Sequence, residues 1–298
     1  MSRSKRVVAT IIVALSFALP FQTSSSAAAQ IENVREAAIR INIAGRQRML
    51  MQRMSKAACF VHLGVNTEAH LEMLASASDL FARSHLALLH GDPDLGISQP
   101  ERDLTVQRNL LQVRRRWDIY LPFVASILES GTGDQETVTE VAAGGRVLLR
   151  RMEETVSHIV GNYSSVLPDV PQIQTNTFNM AARQRMLSQR AGAEFCLIEA
   201  GIYVEANTKN LAETIMMFSN TLAALIDGMP GMISAPPNEF VLNKLREVES
   251  AWSAPFEVLT RASMGAQISD ADRLIVVDQL EQALILMNEA VGLYVEAR

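Results

Sequence analysis

Apolar positions along the chain recur at intervals of three and four residues, the spacing that lines one face of an α-helix, and no stretch reads convincingly as β. The pattern predicts helices over 31–63, 67–90, 100–130 and 134–162, and again over 173–204, 207–228, 237–264 and 269–297. The breaks are short and carry glycine and proline, as at Gly91-Asp92-Pro93 and Gly228-Met229-Pro230, which suits antiparallel neighbours. Ser164 to Thr175, with Pro168 and Pro171, is the natural linker between the two sets. The expected fold is all-α, with two tandem up-and-down four-helix-bundle modules, 30–165 and 172–298, related by pseudo-twofold symmetry.

The second set copies the first. INIAGRQRMLMQRMSKAACF at 41–60 recurs as FNMAARQRMLSQRAGAEFCL at 178–197, an offset of 137, with Arg46/Arg183, Gln47/Gln184, Arg48/Arg185, Gln52/Gln189, Arg53/Arg190 and Cys59/Cys196 identical. FARSHLALLHGDP at 81–93 matches FSNTLAALIDGMP at 218–230 at the same offset. Further on the offset is 135, where Leu110, Val113 and Trp117 match Leu245, Val248 and Trp252, and Met152, Glu154, Val156 and Val160 match Met287, Glu289, Val291 and Val295. A Trp-anchored core stripe in each module accounts for the first of these sets.

The box at 41–60 needs a different explanation, because a repeated core keeps apolar residues and is free to vary its surface. Here the kept residues are arginine and glutamine. On a helical wheel Ile43, Leu50, Met54, Ala57 and Val61 form the core face. Gly45, Arg48, Gln52 and Cys59 lie roughly opposite, with Ala182, Arg185, Gln189 and Cys196 in the copy. Asn42, Met49, Arg46 and Arg53 run along the border. A face that combines a small residue, a guanidinium, an amide and a thiol suits a partner helix, and the obvious partner is the other copy. Arg48 and Arg185 would then converge across the pseudo-twofold axis, where two buried guanidiniums require something negative between them.

The first residues read as a secretory signal, 1–29: Arg3, Lys5 and Arg6, an apolar stretch from Val7 to about Leu19, then Ala27-Ala28-Ala29 as cleavage site. A membrane anchor is the alternative, but the stretch is short for a span and Pro20 interrupts it. Cleavage would remove three basic residues and take the formal charge from −5 to −8. That acidity argues against nucleic acid as a partner, and Arg114-Arg115-Arg116 then reads as a solvated helix face. In an oxidising compartment Cys59 and Cys196, on the converging stripe, would form a disulfide or else remain two buried thiols.

Chemistry is otherwise sparse. His62, His70, His85, His90 and His158 have no metal-ligand spacing, no haem-attachment motif or phosphate-cradling loop is present, and no cofactor is implied. His85 and His90 sit near a helix end and are expected to be exposed or capping. Met49, Met51 and Met54 read as adaptable core. The chain is not expected to be an enzyme.

INIAGRQRMLMQRM and FNMAARQRMLSQRA resemble the signature of the PilJ-type module, the N-terminal sensor region of type IV pili methyl-accepting chemotaxis transducers, related to the ligand-binding box of NarX-like nitrate and nitrite sensor kinases. The resemblance implies a four-helix periplasmic bundle in which an Arg from each subunit of a dimer grips one small anion, a dimer that a single tandem chain would mimic. By position these are Arg48 and Arg185, with Gly45 and Ala182 beside the ligand. Gln52, Gln189, Asn42 and Asn179 would supply neighbouring amides, and Arg46, Arg53, Arg183 and Arg190 would be structural pair-formers. Departures from the family are that no flanking transmembrane helices or output domain are expected, that Ala182 stands for glycine, and that Ala193 stands for the basic Lys56.

A guanidinium is always charged and its planar donor fork matches an oxyanion. The expectation is a periplasmic sensor-like protein that binds a small inorganic or organic anion, nitrate-like, and reports to a membrane receptor, kinase or transporter. The alternative is an envelope scaffold with no small ligand, its arginines paired with carboxylates of neighbouring helices. Homo-oligomerisation is left open.

Overall fold

A computed structural model describes residues 23–164 and 172–296. The helices are α1 Thr23–His62, α2 Thr67–His90, α3 Leu104–Ser130, α4 Gln135–Ser164, α5 Gln172–Glu199, α6 Val204–Asp227, α7 Glu239–Ser263 and α8 Asp270–Glu296. Most of the predicted signal and the core of the predicted linker lie outside the described residues. α1 begins earlier than the periodicity suggested and runs through Ala27–Ala29. No helix among the described residues is long and apolar enough to cross a membrane.

Local chemistry sets the helix ends. α3 starts at Leu104 rather than 100 because Asp103 caps it, its carboxylate accepting from the Thr105 and Val106 amides at 2.9 and 2.8 Å. Asn238 does the same for α7 through Val241 N–H at 3.0 Å. Such caps satisfy donors that the first helical turn leaves free. α2 and α6 end at Gly91 and Gly228, with φ of 83° and 78°. They also start alike, from Asn66 and Tyr203, which both hold the left-handed conformation at φ 44° and 47°. The repeat therefore extends to backbone positions where an ordinary side chain is unfavourable.

Each module is a square of helices, α1 packing on α2 and α4, and α3 closing the far corner; α5 to α8 repeat the arrangement. Trp117 stands 4.5 Å from Phe81 between ring centroids, and Trp252 4.0 Å from Phe218, so the two Trp stripes are core. Gln47 Nε2 donates to Ser84 Oγ at 2.5 Å and Gln184 Nε2 to the Phe218 carbonyl at 3.0 Å, tying α1 to α2 and α5 to α6. These bonds explain why the glutamine is kept in both boxes.

The modules join through α1 and α5, which lie side by side, parallel and in register. Phe60 and Phe195 are 6.5 Å apart, and a Cβ on Gly192 would fall 2.8 Å from Lys56 Cδ. Cys59 and Cys196 are joined by a disulfide, with Cα atoms 6.0 Å apart. Counted back from the Cys59–Cys196 bridge, the equivalent positions 41/178, 45/182, 48/185, 52/189, 55/192 and 59/196 step by four and three, the heptad spacing of a two-stranded coiled coil. Both helices are consequently buried nearly all round, on α2 and α4, or α6 and α8, and on each other. That is why the wheel placed a second, polar face opposite the core face.

Candidate functional site

Halfway along this seam the two boxes bring four guanidiniums together. Arg48 lies over Gly45, where a Cβ would be 3.8 Å from Nη2. Arg185 is 4% exposed and donates from Nη2 to Asn42 Oδ1 at 3.0 Å, from Nη1 to Asn288 Oδ1 at 3.4 Å, and from Nε to the Ala182 carbonyl at 3.3 Å. Arg46 and Arg183 complete the cluster. Nε of Arg46, Arg48 and Arg183 is buried and has no acceptor.

The charges feel one another. Burial, then Arg46 and Arg48, push Arg185 down to about 10. Burial also lowers Arg48, with Arg183 adding to the shift and Glu153 opposing it, and burial alone lowers Arg46. Among the described residues no carboxylate lies within 4.0 Å of any of the four. A buried cation without a counter-charge costs several kcal/mol, roughly 3–5 when one partner of a pair is missing. The cluster therefore carries a concentrated positive charge with no carboxylate against it among the described residues.

The four arginines expected to be structural pair-formers divide into two kinds. Arg53 meets Glu281 at 2.6 Å and Arg190 meets Glu194 at 2.7 Å. Arg46 and Arg183 have no ion pair among the described residues: two turns nearer the start of the box, they stand beside Arg48 and Arg185, out of reach of those carboxylates. Gln189 is fully buried with both amide atoms unpartnered, and Gln52 is nearly buried one turn from Arg48. Asn42 accepts from Arg185, whereas the half-buried Asn179 takes no equivalent bond from Arg48. His85 corrects its expected exposure: it is 1% exposed and stacks on Phe81 at 5.8 Å. Its place one turn after Phe81 puts it on the core face of α2, and burial pushes it down to about 4.

Two clefts flank the seam and exchange under the pseudo-twofold. One, of about 510 Å³, is lined by Arg46, Arg53 and Arg185 with Glu281 and Asn288 of α8. The other, of about 260 Å³, is lined by Gln52 and Arg190 with Arg146, Arg150 and Glu153 of α4. The α4 and α8 contributions are missing from the sequence reading. They could have been found by extending the 135 offset, which sets Arg146 against Glu281 and Glu153 against Asn288.

The model of the family described as type IV pili methyl-accepting chemotaxis transducer N-terminal, PilJ, matches residues 29–143 and 175–283. The chain belongs to the PilJ family. Its two matches coincide with the two structural modules, so the α1–α5 seam is a contact between tandem PilJ modules within one polypeptide. The membership makes it a sensory, signalling protein. No curated protein and no solved structure matches the chain.

Proposed function

We propose that this tandem PilJ protein is a periplasmic binding module that holds one small oxyanion between α1 and α5, among Arg46, Arg48, Arg183 and Arg185. The observation that carries the reading is the set of three buried Nε–H donors without acceptors in a cluster of cations that, among the described residues, has no carboxylate within ion-pair distance. A planar anion such as nitrate could accept from several of them, each charge-assisted bond contributing about 1.5–3 kcal/mol. Because Arg46 and Arg48 come from one module and Arg183 and Arg185 from the other, occupancy would draw the modules together along the seam. A membrane receptor, kinase or transporter would read that change.

The test is a thermal-shift screen with nitrate, nitrite, sulfate, phosphate and small carboxylates on the wild type, Arg48→Ala and Arg185→Ala. A rise with one anion, lost in both variants, is the expected result, since a ligand of the native state alone stabilises by about 2.7 kcal/mol at a hundredfold excess over Kd. No rise with any anion would sink the proposal and favour an envelope scaffold.

A further inference from the structure

The two flanking clefts are equivalent by position but not by charge. In the larger, Glu281 reaches in from α8 and its carboxylate accepts from Arg53 at 2.8 Å and Lys56 at 3.1 Å. In the smaller, the residue at the place of Glu281 is Arg146, and Arg190 stands where Arg53 stands. The larger cleft thus has a carboxylate from α8 at this place, and the smaller has an arginine from α4.

At that place the smaller cleft carries a positive charge instead, with Glu153 and Glu194 elsewhere in its lining. Arg190 turns to Glu194 on its own helix at 2.7 Å, and Glu194 is also held by Thr214 Oγ1 at 2.7 Å. Arg146 is exposed, has no carboxylate partner among the described residues and lies 4.8 Å from the centre of the Tyr203 ring. Arg150, exposed at the rim, makes no ion pair among the described residues. The remaining carboxylate, Glu153, faces Arg48 and acts on its charge. Beneath the arginines Ala142, Leu149 and Leu197 form an apolar floor, with Asn207 and Asn210 at the side.

We propose that this cleft between α1, α4, α5 and α6 is a second binding site, for a short-chain organic carboxylate, held by Arg146, Arg150 and Arg190. The anionic end takes the role that Glu281 fills in the other module. The carbon skeleton lies on the Ala142–Leu149–Leu197 floor, which a bare inorganic oxyanion would leave empty. At about 260 Å³ the cleft falls just below the usual range for small-molecule pockets, which limits the ligand to a small acid. The site shares no arginine with the seam cluster, so the two proposals stand or fall separately.

Calorimetric titration with succinate and with butyrate tests this on the purified chain. The proteins are the wild type, Arg146→Glu, Arg150→Ala and Arg48→Met, each checked for helicity by circular dichroism. At least one of the two acids should bind the wild type and Arg48→Met alike. Binding should weaken roughly tenfold or more in Arg150→Ala, the loss expected of one charge-assisted contact. It should vanish in Arg146→Glu, which places an internal carboxylate opposite Arg190 and should also raise Tm. Absence of binding to the wild type would overturn the proposal. So would binding that survives Arg146→Glu but is lost in Arg48→Met.

Discussion

Lys56 Nζ lies 3.1 Å from Glu281 Oε2, so a buried ion pair joins the first helix of one module to the last helix of the other. Burial pushes Lys56 down to about 8, with Glu281 opposing the shift. Burial works against the Glu281 charge as well, but Lys56 and Arg53 outweigh it and hold that carboxyl below its usual value. Below pH 8 folded and unfolded chains both carry the Lys56 proton. Between about 8 and 10.5 the unfolded chain keeps it and the folded chain releases it, so this group adds stability as pH rises. Urea denaturation at pH 7 and 9.5 should show the wild type gaining on the order of 1 kcal/mol relative to Lys56→Met. Equal changes in the two proteins would contradict the assignment.

The Glu281 carboxylate should matter more than either cation. Glu281→Gln leaves Lys56 and Arg53 without their counter-charge, one of them 1% exposed, and should cost about 3 kcal/mol at pH 7. Lys56→Met at the same pH removes a buried charge and should cost much less. Denaturant midpoints of the two variants, compared at equal slope, give the answer; a larger loss for Lys56→Met would reverse the account.

The Cys59–Cys196 bridge closes the other end of the seam, and both residues are fully buried. Thiol–disulfide exchange requires access to a sulfur. The native protein should therefore stay bridged in dithiothreitol for hours and lose the bridge quickly in denaturant, as mass spectrometry after alkylation would show. The Cys59→Ala, Cys196→Ala double variant should unfold at lower temperature, with about 2–5 kcal/mol lost. A variant with unchanged Tm would mean that packing of α1 on α5 alone fixes the modules.

The fold was legible because the repeat displays it twice: Trp117 and Trp252, Gly91 and Gly228, and the two boxes mark equivalent places in two copies. Helix starts at Asp103 and Asn238 were less so, since a cap is set by one side-chain bond rather than by periodicity. Within the seam, the wheel brought out Arg48, Arg185 and the cysteine stripe. It could not separate Arg46 from Arg53, because both lie on the border and only the position of Glu281 on a distant helix decides which one is neutralised. The same limit hid Arg146 and Arg150, which become basic cleft residues only once α4 is packed on α1, the helix that also holds α5.

Glycines within the helices separate close approach from spare room. A Cβ at Gly45 would be 3.8 Å from the nearest atom, the flexible end of Arg48, whereas at Gly144 it would meet the Tyr120 ring at 2.9 Å. Gly45→Ala matches Ala182 in the other module and should stabilise by about 0.5–1 kcal/mol through helix propensity. Gly144→Ala should destabilise by about 1–3 kcal/mol, because the ring is fully buried and must move. Thermal unfolding of the two variants should shift in opposite directions; a stable Gly144→Ala would show that the α3–α4 contact has slack.

Arg48 offers the sharpest separation between a binding site and a structural charge. With no anion present, its guanidinium is largely buried, its Nε–H has no acceptor, and Arg183 repels it. Replacing it by a side chain of similar length without charge should therefore be neutral or stabilising in anion-poor buffer, since an apolar residue removes the desolvation cost. With the bound oxyanion in excess the order should invert. The wild type gains about 2.7 kcal/mol at a hundredfold excess over Kd, and Arg48→Met gains nothing. Urea titrations of both proteins, with and without the anion chosen by the thermal screen, should thus cross. If Arg48→Met loses about 3 kcal/mol whether or not anion is present, the guanidinium holds the seam by itself and the anion has no place there.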